Sequence, residues 1–201
     1  MNQPIHLTLV RHGETLWNRE FRLQGSQDIP LSDTGLAQAT AIAKRLSREQ
    51  FQALYSSHLQ RAHKTAETIA EASGVLHRVH KDLHERHFGE IEGHTRDEIL
   101  ERYPAIWGRE KTYDVAGVEP FDALRERSRQ AIEQIADQHP GEHVVIVSHG
   151  GTINAFLHSI SDGRCGTGIS TLGNTSVTRV LRDQDGVWQI IEIGCTAHLG
   201  G

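Results

Sequence analysis

Two short runs carry most of the chemistry visible in this chain. Arg11-His12-Gly13-Glu14-Thr15 follows an alternating, β-rich stretch at 5–10, and Ser148-His149-Gly150-Gly151-Thr152 follows Val144-Val145-Ile146-Val147, the most apolar run. Each sets a histidine and a glycine just past the carboxyl end of a predicted strand. In open α/β sheets that edge binds ligands. A glycine there lets backbone N–H groups approach an anion, and the second run also opens a predicted helix, whose N-terminus favours negative charge. The planar fork of Arg11 matches phosphate oxygens, and Arg61 is expected at the same edge. His6, His58, His139 and His143, taken singly, read instead as hydrogen-bonded structural residues.

The elements that must position these groups follow from periodicity. Residues 33–48 carry Leu36, Ala39, Ile42, Ala43 and Leu46 at helical spacing, with Ser32 or Asp33 as cap. Ala53-Leu54-Tyr55-Ser56 reads as a short buried strand. The helix after it presents Leu59, Ala62, Ala66 and Ile69, with Ser57 and Gln60 at capping-box spacing. Thr95-Arg96-Asp97-Glu98 is a second capping box, opening a helix to about Tyr103 that Pro104 stops. A longer amphipathic helix covers 120–139 and another 152–160. The end reads as a hairpin, 177–181 and 187–193, turning at Asp185-Gly186. Strands alternating with helices predict an α/β three-layer sandwich: a mostly parallel central sheet, an antiparallel edge strand and helices on both faces.

Composition bounds the function. A chain of 201 residues, 37% hydrophobic and 23% charged, is expected to form a single domain over 1–201, not a fibre, a disordered tail or a membrane protein. The net charge of −5 argues against a nucleic-acid partner. No apolar run approaches the roughly 20 residues of a spanning helix. Met1-Asn2-Gln3-Pro4 lacks the pattern of a secretory leader, and Cys165 and Cys195 make neither a disulfide framework nor a zinc motif, so a cytoplasmic location is expected. The 14 histidines raise either histidine catalysis or a metal. His77, His80, His84 and His87 crowd around Glu85, yet their spacing fits no compact metal motif, so no metal or other cofactor is expected.

With Asn18 and Gln24-Gly25, the first run resembles the signature of the histidine phosphatase superfamily, in its phosphoglycerate-mutase-like branch. Four further stretches agree in order and spacing: Pro30 to Gly35, Ser56 to Ala62 continuing to Thr65-Ala66, Leu83 to Gly93, and Val147 to Gly151. The resemblance implies a phosphoryl-transfer pocket. His12 would be the nucleophile, and Arg11, Arg61 and His149 would surround the phosphoryl oxygens, with Asn18, Gln24, Gly25 and the Gly150 backbone assisting. Glu85 would be the proton donor and then the base for water, with Glu90 and Glu92 as rivals for that role. Ile91 stands where the family often has Trp, which would remove an aromatic wall. Gly117-Val118-Glu119-Pro120 departs from the usual Gly-Gly-Glu-Ser, which would affect helix capping.

Mutases of the family carry a longer insertion after the acid loop, so the short segment 94–118, read as a small lid that sets specificity, favours hydrolysis. The expected function is a metal-independent phosphomonoesterase acting through phosphohistidine on a small phosphorylated metabolite, as a monomer or homodimer. The alternatives are a phosphoglycerate mutase dependent on 2,3-bisphosphoglycerate, a phosphoprotein phosphatase, and a non-catalytic binding module. Tyr103, Trp107 and Tyr113 either line the entrance or pack the lid, and His198 is a candidate for the site mouth. Asn174-Thr175-Ser176 matches a glycosylation sequon but reads as an ordinary strand start.

Overall fold

The computed structural model describes residues 3–104 and 115–200, so Trp107 and Tyr113 lie outside the described residues. Its centre is a six-stranded sheet. In chain order the strands are β1 (Ile5–Arg11), β2 (Ala53–Ser56), β3 (His77–Val79), β4 (His143–Ser148), β5 (Val177–Arg182) and β6 (Trp188–Cys195), arranged in space as β3-β2-β4-β1-β5-β6. β1, β4, β2 and β3 pair in parallel. β5 pairs antiparallel with both β1 and β6. The edge pair therefore supplies the antiparallel part of the sheet, with β5 as the reversed strand. Three-layer α/β architecture follows from the helices on the two faces.

The alternation of β4 sorts the core. Val144 and Ile146 face a cluster that includes Ile132 and Ile135 of α5 (Phe121–Asp137) and Phe156 of α6 (Gly150–Ile160). Val145 and Val147 face Ile42 and Leu46 of α2 (Asp33–Leu46) and Ala62 and Ile69 of α3 (Gln60–Ser73). Successive side chains of a strand point to opposite faces, so one apolar run feeds both layers. A third, smaller cluster joins Ile91, Ile99 and Val115, with Leu23, Phe88 and Tyr103 packed against it. Ile91 thus packs under the segment after the acid loop and is not a missing wall of the site. Among the described residues no helix is long and apolar enough to cross a membrane.

Three details of the helix starts differ from the sequence reading or refine it. Ser32 caps α2, accepting from the Gly35 amide, and Thr95 with Glu98 completes the capping box of α4 (Arg96–Arg102). Ser57 does not cap α3: its amide is tied to the Val147 carbonyl, and its hydroxyl accepts from Leu59, ahead of the helix. The cap comes from a distant loop instead, where Asp28 Oδ1 accepts from the Gln60 amide at 2.7 Å. α6 begins at Gly150, two residues before the expected start, because the His149 carbonyl already accepts from Ile153.

Ile146 is fully buried in the central strand. Ile146→Ala is expected to destabilise the protein by about 2–5 kcal/mol, because the cavity it leaves cannot close within a sheet packed on both faces. Urea unfolding followed by far-ultraviolet circular dichroism measures this.

Candidate active site

Strand register builds the site. The pairing of β1 with β4 sets Arg11 opposite Ser148, so both chains leave the sheet at the same level and in the same direction. The two histidines that follow meet with ring centroids 5.1 Å apart. β2 ends beside them, Ser56 opposite Val147, and delivers the start of α3 with Arg61 to the same edge. A cavity of about 400 Å³ lies there, lined among others by Arg11, His12, Arg61, Glu85 and Gly150. Asn18, Gln24 and Gly25 also line it, so the structure brings together the site residues expected from sequence; His149 packs against His12 beneath them.

His12 is nearly buried, and its Nδ1 lies 2.7 Å from the Gly13 carbonyl. A carbonyl can only accept, so Nδ1 carries the proton and Nε2 keeps its lone pair. His149 is fully buried, and neither ring nitrogen has a partner among the described residues. Both imidazoles are held well below their ordinary range, first by burial and then by Arg61, with Arg11 adding to the effect. At neutral pH both rings are uncharged.

The guanidinium groups are held by carbonyls. Arg61, fully buried, donates to the carbonyls of Gln27 at 2.7 Å and Gly25 at 2.9 Å. Arg11 donates to the carbonyl of Leu172. Nε of each lacks a partner among the described residues. Burial lowers both, Arg61 to about 10, which still leaves it charged at neutral pH; Glu85 opposes the effect in both cases. A Cβ added to Gly150 would lie 3.6 Å from Arg11 Nε, so this guanidinium passes over the start of α6.

Asn18 and Gln24 are oriented by Thr15. Asn18 Oδ1 accepts from the Thr15 amide and completes the capping box of α1 (Leu16–Arg19), and Gln24 Oε1 accepts from the Thr15 hydroxyl. Their oxygens are therefore occupied, which turns the amide N–H₂ groups into the free donors.

Among the three candidate acids, Glu85 is the one in the cavity. Its Oε2 accepts from the Gly151 amide at 3.0 Å and its Oε1 from the Arg86 amide. Gly151 is required for this approach, since a Cβ there would lie 2.3 Å from Glu85 Oε1. Glu92 instead accepts from the backbones of Ser26 and Phe88 and from Gln27, and these bonds hold its pKa below the usual range against its burial. Glu90 lies outward, with Tyr103 Oη and Arg102. Tyr103 packs in the small third cluster.

The structure corrects three readings. Asn174 is a site residue: its Nδ2 donates to the His12 carbonyl and to Asn18 Oδ1, and its side chain lines the cavity mouth. The sequon match drew attention to it for another reason. Thr175 beside it is fully buried at φ 53°, and its amide also donates to the His12 carbonyl. His198 does not reach the mouth; its Nε2 lies 3.0 Å from Thr175 Oγ1 and its Nδ1 faces Arg45. Glu119 does more than affect capping. Its carboxylate pairs with Arg127 at 2.9 Å, its carbonyl accepts from Arg86, and Arg127 in turn holds the His84 carbonyl, so this segment props the acid loop.

A second, outer cavity of about 650 Å³ adjoins the first, sharing Arg11, Asn18, Arg22 and Leu23. At its rim the chain ends α1 with Arg22 N–H donating to Trp17 and Phe21 N–H to Asn18. This double bond pattern demands a left-handed residue, ordinarily glycine. Here it is Phe21, at φ 55° and 83% exposed. Left-handed backbone costs a residue with a Cβ about 1–2 kcal/mol.

A profile of the histidine phosphatase superfamily (branch 1) matches residues 7–196. The chain is 40% identical over 206 residues to "Metal-independent phosphoserine phosphatase" of Arabidopsis thaliana, covering 98% of this chain and 84% of that protein. It is 38% identical over 201 residues to "Phosphoglycerate mutase-like protein 4" of the same plant, covering 96% and 86%. The solved structure of Bacillus stearothermophilus YhfR matches with a TM-score of 0.89 at 33% identity, covering 97% of this chain and 99% of that one.

The depressed histidines have a consequence for stability. The unfolded chain binds protons at imidazoles near pH 6.5, where folded His12 and His149 refuse them. Their contribution is therefore complete above about pH 6.5 and is lost as the pH falls below it. Each excluded proton is worth about 1.4 kcal/mol per pH unit in that falling range. Urea unfolding at pH 7.5 and pH 5.5 is expected to show the loss, and His149→Gln to make it shallower.

Proposed function

Because the chain belongs to the histidine phosphatase superfamily, we propose that it hydrolyses small phosphomonoesters through a phosphohistidine on His12, without a metal. The observation that carries this reading is the pairing of a neutral imidazole, its Nε2 free, with two guanidinium groups, Arg61 buried and Arg11 half-buried, that no carboxylate among the described residues contacts directly.

The steps follow from the geometry. His12 Nε2 attacks phosphorus with its lone pair, in line with the leaving oxygen, and the P–O bond to that oxygen breaks. Glu85 delivers a proton to the leaving oxygen. Phosphoryl transfer asks a protein chiefly for positioning and for charge around the equatorial oxygens. Arg11 and Arg61 supply the charge, and His149 and the Asn18 amide supply neutral donors. Glu85, now a carboxylate, takes a proton from water as the resulting hydroxide attacks phosphorus. The P–N bond breaks and inorganic phosphate leaves.

The neutrality of His12 matters because a protonated ring has no lone pair to attack with. Asn174 and Thr175 act as positioning residues, since they hold the carbonyl of the nucleophile. His94, Arg96 and Ile99, at the start of the segment read as a specificity lid, line the outer cavity. Phosphoserine is the first substrate to try, on the strength of the plant phosphatase to which the chain is similar.

With EDTA present, the wild type is expected to release phosphate from p-nitrophenyl phosphate and from phosphoserine. His12→Ala should abolish turnover and the acid-labile phosphoprotein trapped by rapid quenching. Arg61→Ala should lower kcat by about 10²–10³. Equal activity in His12→Ala, or loss of wild-type activity to the chelator, overturns the reading.

A further inference from the structure

The phosphohistidine reading leaves the outer cavity without a task, and Phe21 marks it. The ring is almost fully exposed, so no core packing offsets the left-handed backbone beneath it. Glycine would satisfy the turn without strain. A residue kept in such a conformation and presented to solvent at a cavity rim points to a ligand contact.

The rest of the lining says what kind of ligand. Leu23, half-buried, continues the apolar surface of Phe21, and Ile99, buried at 1% exposure, backs it from beneath. Two guanidinium groups flank it. Arg22 is already compensated, by Glu20 at 2.9 Å and Glu98 at 3.3 Å. Arg96 is exposed and forms no ion pair among the described residues. The chamber is continuous with the phosphate cavity through Arg11, Asn18, Arg22 and Leu23, and at about 650 Å³ it is the roomier of the two. A three-carbon leaving group would leave most of it empty.

We infer that the outer cavity is a leaving-group subsite for phosphomonoesters with a flat, apolar body against Phe21 and Leu23 and a second anion toward Arg96. This assignment rests on the phosphatase reading above. It gives the chain a preference, set by two residues that take no part in the chemistry, for larger, flat esters whose second anion reaches Arg96 over phosphoserine, whose carboxylate sits on a three-carbon leaving group.

The test compares kcat/KM for phosphoserine, phenyl phosphate and 4-carboxyphenyl phosphate in the wild type, Phe21→Gly and Arg96→Gln. Comparison of variants on one ester removes differences in intrinsic reactivity. Phe21→Gly is expected to lower kcat/KM for both aryl esters roughly 3- to 10-fold, mostly through KM, as loss of an aromatic contact should. It should leave phosphoserine within about two-fold and the melting temperature at or above the wild-type value, because glycine relieves the backbone. Arg96→Gln is expected to lower 4-carboxyphenyl phosphate alone, by about 3- to 5-fold, the range of an exposed ion pair. An equal fall for all three esters, unchanged aryl kinetics, or a lower melting temperature in Phe21→Gly overturns the subsite. Failure of the wild type to hydrolyse any of the three overturns the phosphatase reading itself, which separates the two results.

Discussion

Arg61 is a guanidinium with no exposed surface and, among the described residues, no carboxylate in direct contact, and much of the site is arranged around that fact. A buried charge without a partner is among the costlier features a fold can carry. Here two carbonyl oxygens take part of the burden, and Glu85 and Asp28 act through space. Arg11 repeats the arrangement with the Leu172 carbonyl. Burial first, and then the positive field that remains unanswered, keeps His12 and His149 neutral. The field also makes the cavity a place where an anion is strongly preferred to water. Nucleophile and anion site are therefore both shaped by the same buried positive charge, the nucleophile by its own burial as well.

Holding Arg61 requires a loop that is itself held. Gly25 and Gln27 supply the carbonyls, and Asp28 from the same loop caps α3, the helix that carries Arg61. Glu92 pins this loop through Ser26 and Gln27 while it also accepts from Phe88 of the acid loop. Gly25 tolerates the crowding because it has no Cβ and sits at φ 54°; a Cβ there would come within 2.0 Å of Glu92 Oε1. One carboxylate thus ties the loop behind the guanidinium to the loop that presents Glu85.

Backbone strain gathers at the same place. Thr175, β-branched, fully buried and left-handed, closes on the His12 carbonyl, and Phe21 ends the first helix at the rim. Strained conformations persist only where surrounding structure over-determines them. For Thr175 that support is visible in its hydroxyl, which meets His198, and in the Asn174 bonds beside it. For Phe21 the support is two backbone hydrogen bonds, and the exposed ring looks outward.

By itself the sequence determined five strands of the sheet and the two histidine loops, and missed the short strand β3 (His77–Val79). Those signals are local: an apolar run of four with a glycine after it, a helical period, a capping box at 95–98. They also include the reach of Arg11 and Arg61 to one edge, since parallel strands must all end on the same side; Glu85 came from the family resemblance. What tertiary structure alone decided were the partners of those groups across the chain. Asp28 displaced Ser57 as the cap of α3, Asn174 joined the site from 162 residues away, and His198 turned to Thr175 instead of the mouth. Local spacing is governed by backbone geometry over a few residues, and it leaves a trace in the order of residue types. A hydrogen bond between distant loops depends on where the packed sheet brings their backbones, and no period or motif in the chain records that distance.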